Sequence, residues 1–221
     1  MKLSIKHQLR LSYLVTLLFC GVVGLIGYLS VASLDRSMDA ISVNGAALRE
    51  QMQADMMHDA LRGDVLAALL AASPEEHAAA RRDADEHAAS FKQTMAALDG
   101  QDTDPAIKAA IARVRPDVDA YLAAAARMVA LAAGDQAAAR QAFGGFMDSF
   151  RKLEAGMEAL SELIQKDSDA ARAGGDAVVV ASTLQIELVA LAAIVRPLEA
   201  AIAIADRIAQ GDLDRQDSGG G

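Results

Sequence analysis

Aromatic residues, tryptophan and proline are scarce in this chain. Of its 221 residues only 4% are aromatic, four are proline and none is tryptophan, although 53% are apolar. β-Strands favour aromatic and β-branched residues, whereas alanine is the strongest helix former. Because the apolar fraction consists largely of alanine, leucine, valine and isoleucine, the composition argues against a β-rich fold and predicts an all-α protein.

Cysteine and clustered positive charge are also missing. The one cysteine, Cys20, cannot form an intrachain disulfide, but an oxidising compartment is still permitted. The net charge is -9, which argues against a nucleic-acid partner because phosphate binding needs a basic surface. No motif combines a nucleophile, a base and an orienting group. We therefore expect neither an enzyme nor a bound cofactor.

Histidines offer one alternative to a metal-free chain. His58 and His87, with nearby acids, could hold a single zinc or nickel ion between two helices. His77 and His87 cannot share an ion, because ten residues of helix separate them by about 15 Å. Core or surface histidines are the simpler interpretation, and we predict no metal.

Two long apolar segments interrupt the charged sequence. Residues 11–31 carry no charge and can cross a hydrocarbon core of about 30 Å as a helix. Three basic residues precede them, which places the N-terminus in the cytoplasm by the positive-inside rule. A cleaved signal peptide is the alternative, although its apolar core is only about 7–15 residues long. The second segment, 177–195, contains Glu187 and is a marginal span, so a helix outside the membrane is the alternative there.

Breakers between the apolar segments divide the chain into four helices. Ser73 with Pro74, and Asp104 with Pro105, combine an N-cap with proline at the first helical position. Further boundaries are expected at Gly134 and at the pair Gly174 and Gly175. The predicted helices cover residues 33–72, 74–99, 105–133 and 135–173. Short loops make successive helices antiparallel, which predicts an up-down-up-down four-helix bundle.

Apolar residues recur at alternating steps of three and four in these helices, as bundle packing requires. The fourth helix has the most regular stripe: Phe143, Phe146, Phe150, Leu153, Met157, Leu160 and Ile164. The third has Ile107, Ile111, Val114, Val118, Tyr121, Ala125, Met128 and Ala132. The second is weaker, with His77, Ala80, Ala84, His87, Phe91, Thr94 and Leu98. We expect these stripes to form the core.

The first helix departs from the pattern in its middle. Its stripe runs Leu34, Met38, Ile41, Gly45, Leu48, Met52, then Asp55, Asp59, Arg62, then Leu66 and Leu69. Burial of unpaired charges at three successive positions would cost several kcal/mol. One interpretation is that Arg62, with His58, Asp59 and Asp55, binds an anionic ligand between helices or between subunits.

Two other interpretations of these charges stay open. The register can shift, so that Ala54, His58, Leu61, Val65 and Ala68 are buried while the charged residues pair in solvent. The charges can also set the register of a dimer.

The order of basic N-terminus, apolar helix, four-helix bundle and second apolar helix resembles the sensory half of bacterial methyl-accepting chemotaxis transducers. The stretch Arg196-Pro197-Leu198 through Gly211-Asp212-Leu213 resembles the first helix of a HAMP linker, and residues 56–65 resemble the helix-one block of these sensors. The resemblance implies a cytoplasmic N-terminus at 1–10, a transmembrane helix at 11–32, a periplasmic sensor at 33–175, a second transmembrane helix at 176–195 and a partial HAMP linker at 196–221.

The resemblance further implies a homodimer in the bacterial inner membrane, in contact with lipid. Its expected partner is a small-molecule ligand, such as an amino acid or an organic anion, or a periplasmic binding protein. The signal would pass through Arg196, Pro197, Leu198, Gly211, Asp212 and Leu213 to a cytoplasmic domain that this chain lacks. The alternatives are a membrane-anchored interaction or dimerisation module and the sensor part of a histidine kinase.

Overall fold

Four α-helices make up the described part of the chain. The computed structural model describes residues 5–192, together with 202 and 206. The helices are α1 (Ile5–Leu70), α2 (Pro74–Asp99), α3 (Pro105–Gly134) and α4 (Gln136–Ala190). No strand occurs within these described residues. The predicted all-α fold is therefore confirmed.

Side chains at the predicted breakers cap the helices. The Ser73 hydroxyl accepts a hydrogen bond from the Glu76 backbone N–H, and the Glu76 carboxylate accepts one from the Ser73 backbone N–H. Asp104 accepts a hydrogen bond from the Ala106 N–H at the start of α3. These caps satisfy N–H groups that have no partner inside the helix, and they fix where the helices begin.

The described residues separate into two compact units. The bundle unit is Met38–Arg172 and contains parts of all four helices. The apolar unit comprises the described residues of Met1–Ser37 and Ala173–Gly221.

The core of the bundle unit uses the predicted stripes of α3 and α4. All eight predicted α3 residues are buried, and on α4 only Phe143 is left partly exposed. Neighbouring helices run antiparallel. Asp99 at the end of α2 pairs with Arg115 of α3, whereas residues nearer the start of α2 lie beside the end of α3, as Arg81 does with Val129. Lys152 of α4 pairs with Asp117 of α3, whereas Gly145, nearer the start of α4, lies beside Met128. The stripes therefore meet in one up-down-up-down bundle core.

The register of α1 differs from the predicted stripe. Met38 and Met52 are both 63% exposed in the bundle unit, whereas Ala54, Leu61 and Val65 are buried. The stripe through the methionines and charges is therefore wrong for this core, and the shifted register is correct. The shift places alanine and leucine inside and leaves the carboxylates in solvent, where their charge costs little.

A helix boundary predicted at Gly174 and Gly175 is absent, because α4 continues through both to Ala190. Glycine inside a helix costs about 1 kcal/mol relative to alanine, which a long helix tolerates. Within the apolar unit, a Cβ at position 175 would lie 3.5 Å from atoms of Leu34 and Ser37. A side chain at position 175 would make ordinary van der Waals contact there, so Gly175 lies inside α4 beside α1 and does not end the helix.

Two of the helices, α1 and α4, are long and apolar enough to cross a membrane, as judged from their length and composition. Their most apolar windows are 0% and 6% buried in the protein. A core helix of a water-soluble protein would be mostly buried, and neither window is; the window near the N-terminus also has the length and composition of a signal sequence.

Candidate functional site

Three of the predicted ligand-binding residues lie on the surface of α1. Asp55 and Asp59 are exposed, and Arg62 is partly exposed. The Arg62 guanidinium lies 2.9 Å from the Asp59 carboxylate, one helical turn away. Partial desolvation by the surrounding protein, and then the neighbouring charge of Asp59, raises the pKa of Asp55 above its ordinary value. The described residues therefore hold Arg62 in a local ion pair.

The fourth predicted residue, His58, lies in the core. Its side chain is 1% exposed and its ring stacks on Phe150 of α4, with centroids 4.0 Å apart and planes within 8°. Tyr121 of α3 packs its ring edge against the same imidazole and donates a hydrogen bond to the His58 carbonyl oxygen at 2.8 Å. His58 therefore joins α1 to two other helices and has no direct path to solvent.

Phe150 connects His58 to Arg62. The guanidinium carbon of Arg62 lies 4.5 Å from the centroid of Phe150, which is cation–π distance. The structure thus brings two of the predicted residues to one aromatic ring of α4. A change in the position of Arg62 would alter its contact with α4 directly.

Burial is the main influence on the charge of His58. It lowers the pKa of the imidazole from 6.5 to about 4, so the ring is neutral at pH 7. Its Nε2 atom is buried and has no hydrogen-bond partner among the described residues. Burial also raises the pKa of the Tyr121 hydroxyl, which therefore stays protonated.

Polar residues spaced by seven extend this contact along α1. Asn44, Gln51 and His58 are all buried, and we call them the polar ladder. The Asn44 side-chain amide donates to the Asp167 carboxylate at 2.7 Å, and the Gln51 amide donates to the Met157 carbonyl at 3.1 Å. The polar ladder therefore faces α4 throughout.

The ladder is incompletely hydrogen-bonded. Besides His58 Nε2, the Gln51 Oε1 atom is buried without a partner in the part of the chain that the structure describes. An unpaired buried polar atom costs about 1–3 kcal/mol. Polar residues at this spacing were visible in the sequence, but the predicted register placed them beside the core and not in it.

A partly buried pair joins α1 to α2. His87 Nδ1 lies 2.7 Å from the carboxylate of Asp64, which is 8% exposed. Burial raises the pKa of Asp64, and the contact with His87 opposes that effect. The sequence analysis missed this pair. Among the described residues, no group of three or more histidines, cysteines and acids could hold a metal ion.

The residues expected to transmit the signal are not part of the described structure. Arg196, Pro197, Leu198, Gly211, Asp212 and Leu213 all lie outside the described residues. Their role stays a prediction from the sequence.

The antiparallel bundle, with apolar segments in its first and last helices, has the architecture of a membrane-associated helical module. Residues 2–179 match the four-helix-bundle sensory module for signal transduction found in methyl-accepting chemotaxis proteins, and the chain belongs to this family. The family is one of signal-transduction sensors and not of enzymes. No curated protein and no solved structure matches the chain.

Proposed function

We propose that this chain is the sensing part of a transmembrane chemoreceptor. Its bundle unit would lie in the periplasm and its N-terminus in the cytoplasm, with the apolar segments in the inner membrane. One observation carries the proposal: α1 and α4 are each a single helix with an apolar segment, and the polar ladder of α1 is hydrogen-bonded to α4. A displacement of either helix in the bundle can therefore travel along a continuous rod.

The outer face of α1 supports a homodimer. A second heptad pattern runs along this face, and we call it the outer stripe: Ser42, Gly45, Arg49, Met52, Met56, Asp59, Gly63, Leu66 and Leu70. Met52, Met56 and Leu66 are 63%, 61% and 40% exposed. Large apolar side chains at this spacing fit the interface of two parallel helices. In the proposed dimer, α1 of each subunit packs against α1 of its partner.

The ligand would bind at the edge of that interface. Arg62 lies beside the outer stripe, and its partner Asp59 belongs to it. An amino acid or organic anion that displaced the Asp59 carboxylate from Arg62 would gain a charge-assisted hydrogen bond. It would also change the contact of Arg62 with Phe150 and thereby favour one arrangement of α4. Asp55 and Asp59 would then recognise a positive group on the ligand, and His58 would position Phe150.

Signal output would follow from the continuity of α4. The displacement would pass toward the HAMP-like residues 196–213 and then to a signalling domain beyond this chain. A ligand can shift this equilibrium only by its difference in affinity for the two arrangements.

A thermal-shift screen of the full chain in lipid nanodiscs tests the proposal. Amino acids, organic acids and divalent metals are added to the parent, to Arg62→Ala and to Arg151→Ala. Arg151 is a matched control, because it forms an ion pair of the same spacing with Asp148 on the surface of α4. We expect at least one compound to raise the melting temperature of the parent and of Arg151→Ala, but not of Arg62→Ala.

A periplasmic binding protein, or an interaction module without a small ligand, would give a different result. No compound would then shift the melting temperature, and Arg62→Ala would be as stable as the parent. That outcome would contradict the small-molecule site. The outer stripe of α1 would then be assigned as the binding surface for a protein partner.

A further inference from the structure

Alanines leave an open groove between α2 and α3. A cavity of about 470 Å³ lies beside the start of α2, and a smaller one of about 80 Å³ continues from it toward Leu61. Arg81, Val129 and Ala130 line both cavities. The methyl side chains of alanine do not fill the space between the two helices. The larger cavity has a volume typical of a small-molecule pocket.

The polar groups of the larger cavity can all donate hydrogen bonds. They are the hydroxyl of Ser73, the imidazole of His77 and the guanidinium of Arg81, and none of the nine lining residues is acidic. The remaining lining residues, among them Pro74, Val129 and Ala130, are apolar. A cavity with donors on one side and an apolar floor fits a molecule with an anionic end and an apolar body.

Two of these donors are poorly satisfied. The Nδ1 atom of His77 is buried and lacks a hydrogen-bond partner among the described residues. The Arg81 Nε atom lies 4.0 Å from the Asp85 carboxylate, and both side chains are 73% exposed. An ion pair at this distance and exposure contributes little. A second carboxylate could therefore engage Arg81 without breaking a strong contact.

We propose that this α2–α3 groove binds a small carboxylate with an apolar body, such as a short-chain or aromatic acid. The carboxylate contacts Arg81, and it reaches the unpaired Nδ1 of His77 once the imidazole turns toward the groove; the apolar body covers Val129 and Ala130. This site is separate from Arg62 and does not depend on the proposed function. Its ligand would contact the two helices that lack the apolar segments.

Calorimetric titration of the full chain in nanodiscs with benzoate tests the site, with empty nanodiscs and neutral benzamide as references. Arg81→Gln removes the charged donor. Arg82→Gln is the matched control, because Arg82 is the exposed neighbour of Arg81 and does not line either cavity. Ala130→Leu fills the groove from an exposed position.

We expect benzoate to bind the parent and Arg82→Gln equally, and more tightly than benzamide. Loss of a charged hydrogen bond in Arg81→Gln should weaken binding about tenfold or more. Ala130→Leu should abolish binding while its helical circular dichroism stays that of the parent. Arg62→Ala should bind benzoate normally, which separates this site from the proposed sensing site.

Three results would overturn the proposal. The first is that the parent binds no more benzoate than empty nanodiscs do. The second is that Arg81→Gln and Arg82→Gln weaken binding equally, as a general charge effect would. In the third case, Ala130→Leu changes the oligomeric state in sedimentation and leaves benzoate binding intact, which would make the groove a protein interface.

Discussion

Protonation of His58 should destabilise the bundle. The imidazole is buried among Phe150, Tyr121 and Phe91, and burial lowers its pKa to about 4 from 6.5. The unfolded chain therefore binds a proton on His58 at a higher pH than the folded chain does. The associated stability is fully present above pH 6.5 and is lost as the pH falls from 6.5 toward about 4.

The size of this effect follows from the two pKa values. One pKa unit corresponds to about 1.4 kcal/mol, so the complete effect is about 3 kcal/mol and the loss at pH 5 is about 2 kcal/mol. Asp55 and Asp64 act in the opposite direction. Burial raises the pKa of each, so the folded state takes up their protons more readily as the pH falls.

His58→Phe isolates the histidine from these carboxylates. The variant keeps an aromatic ring against Phe150 but cannot titrate. Urea unfolding of the full chain in detergent micelles, followed by circular dichroism at pH 7 and pH 5, gives the free energy of unfolding of both proteins. The parent should lose about 2 kcal/mol more than the variant between these two values. Equal losses in the two proteins would refute the assignment of a buried, neutral His58.

Three further predictions concern packing and assembly. Leu153→Ala should lower the free energy of unfolding by about 2–5 kcal/mol, because Leu153 is fully buried; a loss below about 1 kcal/mol would contradict this core. Asn44→Leu should destabilise the bundle, since it leaves the Asp167 carboxylate without its amide donor; the double variant with Asp167→Leu should recover stability in the same urea assay. Met56→Glu should convert the proposed dimer to a monomer in sedimentation, and an unchanged mass would exclude the outer stripe as the interface.

The sequence predicted α3 and α4 well because each has one apolar face. The buried residues of α4 from Phe146 to Ile164 follow the predicted stripe, and no second stripe competes with it. Proline with an acidic or hydroxyl N-cap also marks a helix start with little ambiguity, as Ser73 and Asp104 show.

The register of α1 could not be predicted because this helix has two stripes of the same period. The outer stripe carries methionines and leucines, whereas the buried stripe consists of alanines, Leu61, Val65 and the polar ladder. A rule that places the larger apolar side chains inside therefore favours Met52 and Leu66, which belong to both the predicted stripe and the outer stripe. Only the positions of α2, α3 and α4 decide which stripe is covered.

The candidate site depended on this register. Arg62 was identified from its charge alone, and its contact with Phe150 joins residues 88 positions apart, which no local pattern reveals. The pairing of Asp64 with His87 likewise joins residues of different helices, and no local pattern reveals it. The orphaned atoms of Gln51 and His58 were equally invisible, because satisfaction of a polar group depends on its neighbours in space.

In the proposed function, ligand binding to the bundle produces a signal through α4. A chimera that joins this chain, after residue 221, to the signalling domain of a chemotaxis receptor tests it directly, with kinase activity measured in membranes during the compound screen. We predict that a compound that stabilises the parent also changes kinase activity, that Arg62→Ala abolishes the response and that Arg151→Ala retains it. A compound that binds the bundle tightly and leaves kinase activity unchanged in an otherwise active chimera would contradict signalling through α4.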